Sequence, residues 1–209
     1  MIAETPSIYN GVGICKNDAG GVYNGRGVYN GAGKNIVEFG GIEYGFVKIG
    51  NLLWTTENLK NYTTGALYYN NSDDYKDLGY LYKTISIIKT TNTQSDFIQS
   101  IVHDGWRVPT KADFETLLNY PLAELKDKLN SWPTNGTNET GFNCYRSGTR
   151  GHDGAWDFSM SVFITQSVVQ NSTAYYFIMT NTSRQVQSNL SALVDEGQRL
   201  RSVRLCCDA

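Results

Sequence analysis

Three copies of one frame stand near the start of the chain: Ile8-Tyr-Asn-Gly-Val-Gly13, Val22-Tyr-Asn-Gly-Arg-Gly27 and Val28-Tyr-Asn-Gly-Ala-Gly33. So many glycines bar a helix of useful length. Asn-Gly asks for positive φ at both positions and so marks a tight type I′ turn. The β-branched residue and tyrosine before it favour a short extended piece. Strands of two or three residues do not make a stable sheet alone. Such a segment either stays a flexible glycine-rich tail or gains order by packing on something else. That something is a set of copies in an oligomer, or a docking surface. A tyrosine in a fixed frame favours order, since a plain linker has no need of it. Residues 1–41 therefore read as a Gly/Tyr/Asn-rich β-turn repeat for assembly or attachment, with Tyr9, Tyr23 and Tyr29 as anchors. A homotrimer is the first expectation and a dimer the second. Gly40-Gly41 is the expected joint to a folded domain over residues 42–209.

The 209 residues fit one domain plus an appendage. A net charge of −2 gives no electrostatic footprint for nucleic acid or an anionic membrane. With 14 tyrosines and only 18% charged residues, the surface uses phenols, amides and hydroxyls in place of charge. Such surfaces suit contact with sugars or proteins; a coding bias toward Asn, Tyr, Ile and Lys gives the same composition. The start carries no basic and apolar signal regions, and no apolar run is long enough to span a bilayer. The expectation is a protein made in the cytoplasm that stays there or leaves as part of an assembly. Cys15, Cys144, Cys206 and Cys207 lack the spaced pairs of a secreted disulfide framework. Adjacent Cys206 and Cys207 would point to opposite faces of a strand.

Beyond the joint, Ile42–Ile49 and Leu52–Trp54 read as strands about a Gly50-Asn51 turn. Ser95 caps a helix with Phe97, Ile98, Ile101 and Val102 on one face. Thr110 caps a second, with Asp113 completing a capping box and Phe114, Leu117 and Leu118 as its stripe. Leu122 to Leu129 reads as a third, with Leu122, Leu125 and Leu129 inward. Residues 132–154 read as loop. Phe158–Thr165, Ala174–Thr180 and Leu200–Cys206 read as strands, joined by polar connections over Gln166–Thr173 and Asn181–Gly197. Mixed periods of 2.0 and 3.6 predict an α+β fold, a twisted antiparallel sheet with two or three short helices.

Separated phrases run through this region: FVKIGNLLWTTENL from Phe46 to Leu59, GYLY from Gly79 to Tyr82, and GWRVPT from Gly105 to Thr110. Later come Gly141-Phe142, Tyr145-Arg-Ser-Gly148, Asp153-Gly-Ala-Trp156 and Ser202-Val-Arg204. Together they resemble the Fibrobacter succinogenes major paralogous domain, a C-type-lectin-like family that is also similar to the formylglycine-generating-enzyme fold. The resemblance spans roughly residues 42–207. It implies a C-type-lectin-like display scaffold, used for binding more than for catalysis. It also implies that Val102 and Leu205 stand where exported members carry a cysteine pair, so that packing replaces a covalent tie in a reducing compartment. In the related fold the late region is the variable binding surface, which makes Asn171, Thr173, Tyr175, Asn181, Arg184 and Asn189 the ligand-binding candidates.

The search for chemistry is nearly empty. His103 and His152 lie far apart, neither in a metal-ligand spacing. Asp73, Asp74 and Asp77 do not fit an EF-hand and read as a solvated turn. No Gly-x-Ser-x-Gly or Walker sequence is present. The enzymes of similar fold bind copper through a separated cysteine pair, which Cys206-Cys207 cannot reproduce. No catalytic residue, metal or cofactor is expected. The leading expectation is a virion structural protein, a bacteriophage head or tail fibre whose lectin-like domain faces outward to a host glycan or protein. Its N-terminal segment would hold it to a capsid or tail protein. A bacterial surface adhesin or lipoprotein binding domain is the alternative, and an oxidase-type enzyme is disfavoured by the cysteines.

Overall fold

The computed structural model describes residues 15–16, 22–23, 28–29, 35–89, 91–128, 131–134, 136–169, 173–189 and 199–209. The fold is mixed α/β, with mostly antiparallel sheets and few short helices. Its larger sheet has seven strands, six of them an antiparallel meander: β1 (Cys15–Lys16), β2 (Val22–Tyr23), β3 (Val28–Tyr29), β4 (Asn35–Phe39), β5 (Ile42–Ile49) and β6 (Leu52–Thr55). The chain's last strand, β12 (Cys206–Asp208), pairs with β6 and completes it.

The repeat is thus a continuation of the domain's own sheet. Of the two-residue strands, β3 lies beside the longer β4, β2 beside β3 and β1 beside β2, so each extends a sheet that it could not form alone. The register sets Tyr23 opposite Val28, and Tyr29 between Val22 and Asn35, so these two tyrosines do not face each other across the ladder. Tyr9 and the first repeat copy lie outside the described residues.

The expected joint at Gly40-Gly41 is a hairpin turn. Both glycines have positive φ, 53° and 80°, as a type I′ turn demands. Phe39 pairs with Ile42 and Val37 with Tyr44, and Val37, Phe39 and Tyr44 are buried together. The core therefore begins at β4, before the boundary that the glycines suggest.

A second sheet stacks β9 (Met160–Val169), β10 (Thr173–Thr180) and β11 (Arg184–Asn189) in a meander. Strands β9 and β10 are covered on both faces. Val162, Ile164, Ala174 and Tyr176 enter one core with Phe39, Phe46 and Trp106. Phe163, Phe177 and Met179 enter another with Trp54, Phe114 and Phe142. Among the described residues of the polar connections expected after residues 165 and 180, most are strand: β9 runs on to Val169, and β11 spans Arg184–Asn189. Gln185 and Gln187 face solvent while Val186 packs on the second core, a period of two carried by polar residues. Leu200–Leu205 is extended and buried, but it serves several neighbours in turn instead of one ladder. Leu200 bridges Arg150, Arg201 bridges Tyr82, and Ser202 bridges Phe163.

The helices begin where their caps say. Ser95 accepts the Ile98 amide at the start of α1 (Asp96–Ile101). Thr110 and Asp113 form a reciprocal capping box on α2 (Lys111–Leu117). Phe114 and Leu117 are buried, while Leu118 lies past the helix end and is exposed. The third helix, α3 (Leu122–Leu125), is shorter than expected, because Lys126 turns extended to bridge Cys144; Leu129 lies outside the described residues. Leu205 is buried in the first core and Val102 packs on the margin of the same core, half-buried. Among the described residues no helix is long and apolar enough to cross a membrane.

Candidate binding surface

Three of the sequence phrases meet inside the molecule, at Arg204. Its guanidinium is wholly buried and donates to Asn58 Oδ1 (2.7 Å), the Thr55 carbonyl (2.6 Å), the Phe142 carbonyl (2.8 Å) and the Asn143 carbonyl (2.8 Å). It also lies over the Phe142 ring at 4.8 Å. One side chain thus ties the Phe46–Leu59 phrase, the Gly141-Phe142 phrase and the Ser202–Arg204 phrase together. Trp54 and Trp106 are core, and Tyr82 donates its hydroxyl to the Leu59 and Asn61 carbonyls. These side chains build the scaffold, whereas Tyr80, Arg146 and Trp156 of the phrases are only partly buried.

The thiols and histidines are taken up in the same way. Burial pushes the Cys144 thiol up to about 12 and Cys206 well above its ordinary value, so both stay protonated. His103 sits between the Asp104 carboxylate and the Glu38 carbonyl, at 2.7 Å from each, with its ring against Phe39. His152 lies exposed in a turn. Asp73, Asp74 and Asp77 are exposed on a 3-10 turn that Ser72 caps.

The expected ligand-binding residues do not share one place. Thr173 is buried and Tyr175 half-buried near one end of β10, with Lys111 over the Tyr175 ring at 5.4 Å. Asn181 lies past the other end of β10, roughly 20 Å along the strand. Its Oδ1 accepts from the Thr134 amide (3.1 Å) and hydroxyl (2.7 Å), and its carbonyl from Lys126 (2.7 Å). Arg184 donates to the Leu118 carbonyl at 2.9 Å. Asn171 lies outside the described residues, and Asn189 is placed only as the backbone partner of Ala174. Asn181 and Arg184 thus staple the β10–β11 turn to the helical side.

A different surface gathers the partly exposed aromatics. The segment 61–80 carries Tyr62, Tyr68, Tyr69, Tyr75 and Tyr80, and a hairpin of β7 (Thr149–Arg150) and β8 (Trp156–Asp157) leans on it. Tyr68 stacks on Tyr80 at 4.2 Å with planes 13° apart, and Tyr62, 63% exposed, meets Tyr80 edge-on at 5.6 Å. The next residue, Tyr69, turns to the other group, touching Tyr75 (5.0 Å), Trp156 (5.4 Å) and Phe158 (4.6 Å). Gly148 permits this approach: its φ is +73°, and a Cβ there would stand 2.3 Å from the Tyr69 ring. Arg146 lies over Phe158 at 4.5 Å and Arg150 over Trp156 at 5.1 Å. The partners of these contacts edge and tilt as aromatic quadrupoles prefer, which fixes the rings in place.

A separate groove of about 330 Å³ runs beside β4 and β5, lined by Ile36, Glu43, Gly45 and Glu57 among others. Glu57 is held there by the Gly45 amide and the Thr56 hydroxyl, each at 3.0 Å.

Compared with protein-family models, curated proteins and solved structures, the chain gives no match. The family resemblance therefore rests on the quoted phrases. The aromatic surface was open to sequence reading through the density of tyrosines between 62 and 80. The pattern has no regular period, because 3-10 turns and single bridges present it.

Proposed function

We propose that this chain is a non-catalytic attachment module. Its C-type-lectin-like domain, carried on a virion head or tail fibre, contacts a host-surface glycan or protein. The N-terminal repeat joins it to sibling subunits, a trimer before a dimer, and to a capsid or tail partner. The observation that carries the binding reading is the aromatic surface of segment 61–80 and the β7–β8 hairpin. Rigidly held tyrosine and tryptophan side chains give large contact area at low entropy cost. They stand on turns and a short hairpin outside the core that Arg204 closes. The repeat supports the fibre reading, since strands that extend an open sheet can pair with those of a neighbouring copy.

The test is adhesion of the full chain to host cells, compared with Tyr62→Ala and Trp156→Ala. Both variants should fold and bind much less. Unchanged adhesion of both would remove this surface from the function. For the repeat, light scattering compares the full chain with one that starts at Asn35, keeping β4. Equal mass in both would end the assembly reading.

A further inference from the structure

We infer that the arginine-flanked half of the aromatic surface takes a carboxylated saccharide; this rests on the attachment reading. Arg146 and Arg150 lie over Phe158 and Trp156, and among the described residues neither forms an ion pair. Arg150 Nε donates only to the Gly154 carbonyl (3.0 Å), and Arg146 Nε is enclosed without an acceptor.

Of the carboxylates on the same surface, three already accept from protein donors, while Asp73 and Asp77 are exposed on the 3-10 turn. Asp153 accepts the Ala155 amide (3.0 Å), Asp157 the Ser159 amide (2.7 Å) and Asp74 the Ser72 hydroxyl (3.1 Å). Beside the rings, it is the two guanidiniums that lack a negatively charged acceptor among the described residues. A guanidinium fork meets a carboxylate with two parallel bonds. The aromatic rings between the two arginines suit the apolar C–H face of a pyranose, since their negative π faces attract polarised C–H groups. A sugar acid offers both features on one residue, while an inorganic anion offers only the charge.

The experiment is calorimetry of the full chain with matched probes. These are sialyllactose against lactose, and oligogalacturonate against its methyl ester, so that each pair isolates the carboxylate. The expected result is a preference of about tenfold or more for at least one acid over its neutral twin, the scale of a charge-assisted bond. Arg146→Gln and Arg150→Gln should each remove most of that preference. Arg→Lys at either position should keep the charge but restore only part. Trp156→Ala should weaken both members of a pair. Thermal melts matching the parent exclude misfolding of a variant.

Equal binding of acid and neutral sugars, still sensitive to Trp156→Ala, overturns the inference and leaves the attachment reading standing. Displacement by inorganic sulfate as effective as by the sugar acid overturns it too. Binding of no saccharide, with adhesion to cells intact, overturns it in favour of a protein ligand. Loss of adhesion as well takes the attachment reading with it.

Discussion

Arg204 and Arg146 each lie over a phenylalanine ring, 4.8 Å from Phe142 and 4.5 Å from Phe158, and differ in almost everything else. Arg204 is enclosed, and four oxygen acceptors from two distant stretches of chain surround its guanidinium. Arg146 is half-buried, with no acceptor on its Nε and no ion pair among the described residues. Burying a cation is tolerable only when its donors are met, so Arg204 marks a place where the fold is closed. A cation on an aromatic surface without such partners marks a place where it is open. Arg107 stands between the two: part-exposed, and paired with the Asp113 carboxylate that also caps α2.

The largest effect should come from Arg204→Ala. It removes a buried side chain and strands several carbonyls, at a cost of about 4 kcal/mol or more in urea unfolding. Arg204→Lys should recover little, since an ammonium cannot reach four acceptors at fixed angles. A loss below about 1 kcal/mol would show that the hub is not needed and break the comparison at its buried end.

Next in size is the N-terminal boundary. A chain that starts at Asn35 should keep cooperative unfolding. One that starts at Ile42 loses Val37 and Phe39 from the core and should lose about 3 kcal/mol or more, from roughly 1.5–3 per buried side chain. Equal stability of the two would place β4 outside the closed part of the fold.

Asp113 gives a pH-dependent effect. Burial alone would raise its pKa, but Arg107 and the Thr110 amide and hydroxyl outweigh it and hold the carboxyl below its ordinary value. A depressed carboxyl stabilises fully above the ordinary value and loses this as pH falls through the lower folded one. The gap between parent and Asp113→Asn should be about 1–2 kcal/mol at neutral pH and close below about pH 4. A gap independent of pH would assign the effect to shape instead of charge.

What was legible in the sequence follows the range of the forces involved. Helix starts were readable because Ser95, Thr110 and Asp113 act within three residues of themselves. The Asn-Gly frame announced its short strands for the same reason. Gly40-Gly41 reads equally as a flexible linker or a hairpin turn, because glycine serves both, and only the burial of Phe39 separates them. The β11 strand was hidden by its glutamines, since an edge strand needs just one apolar contact, here Val186. The Arg204 hub joins residues about 60 and 150 positions away, and no local period carries that. The expected ligand residues failed to gather because they were chosen along the chain, while the aromatic surface joins segment 61–80 to a hairpin near residue 150.

The smallest effect should come from Arg146→Gln, and it tests the open end of the comparison. The side chain contributes a cation–π contact of about 0.5–1 kcal/mol at a part-exposed site. Against this, the variant removes a guanidinium whose Nε is enclosed without an acceptor, which is itself unfavourable. The two terms oppose each other, so unfolding free energy should move by less than about 1 kcal/mol in either direction. Phe158 keeps its packing on Tyr69 and Tyr75, so the surface should hold its shape. Urea unfolding at neutral pH measures the change, with Arg204→Ala as the reference. If Arg146→Gln costs as much as Arg204→Ala, Arg146 is a second structural hub and the aromatic surface is a closed part of the core. If the protein is unchanged or slightly stabilised, the arginine is there for a partner that the chain itself does not supply.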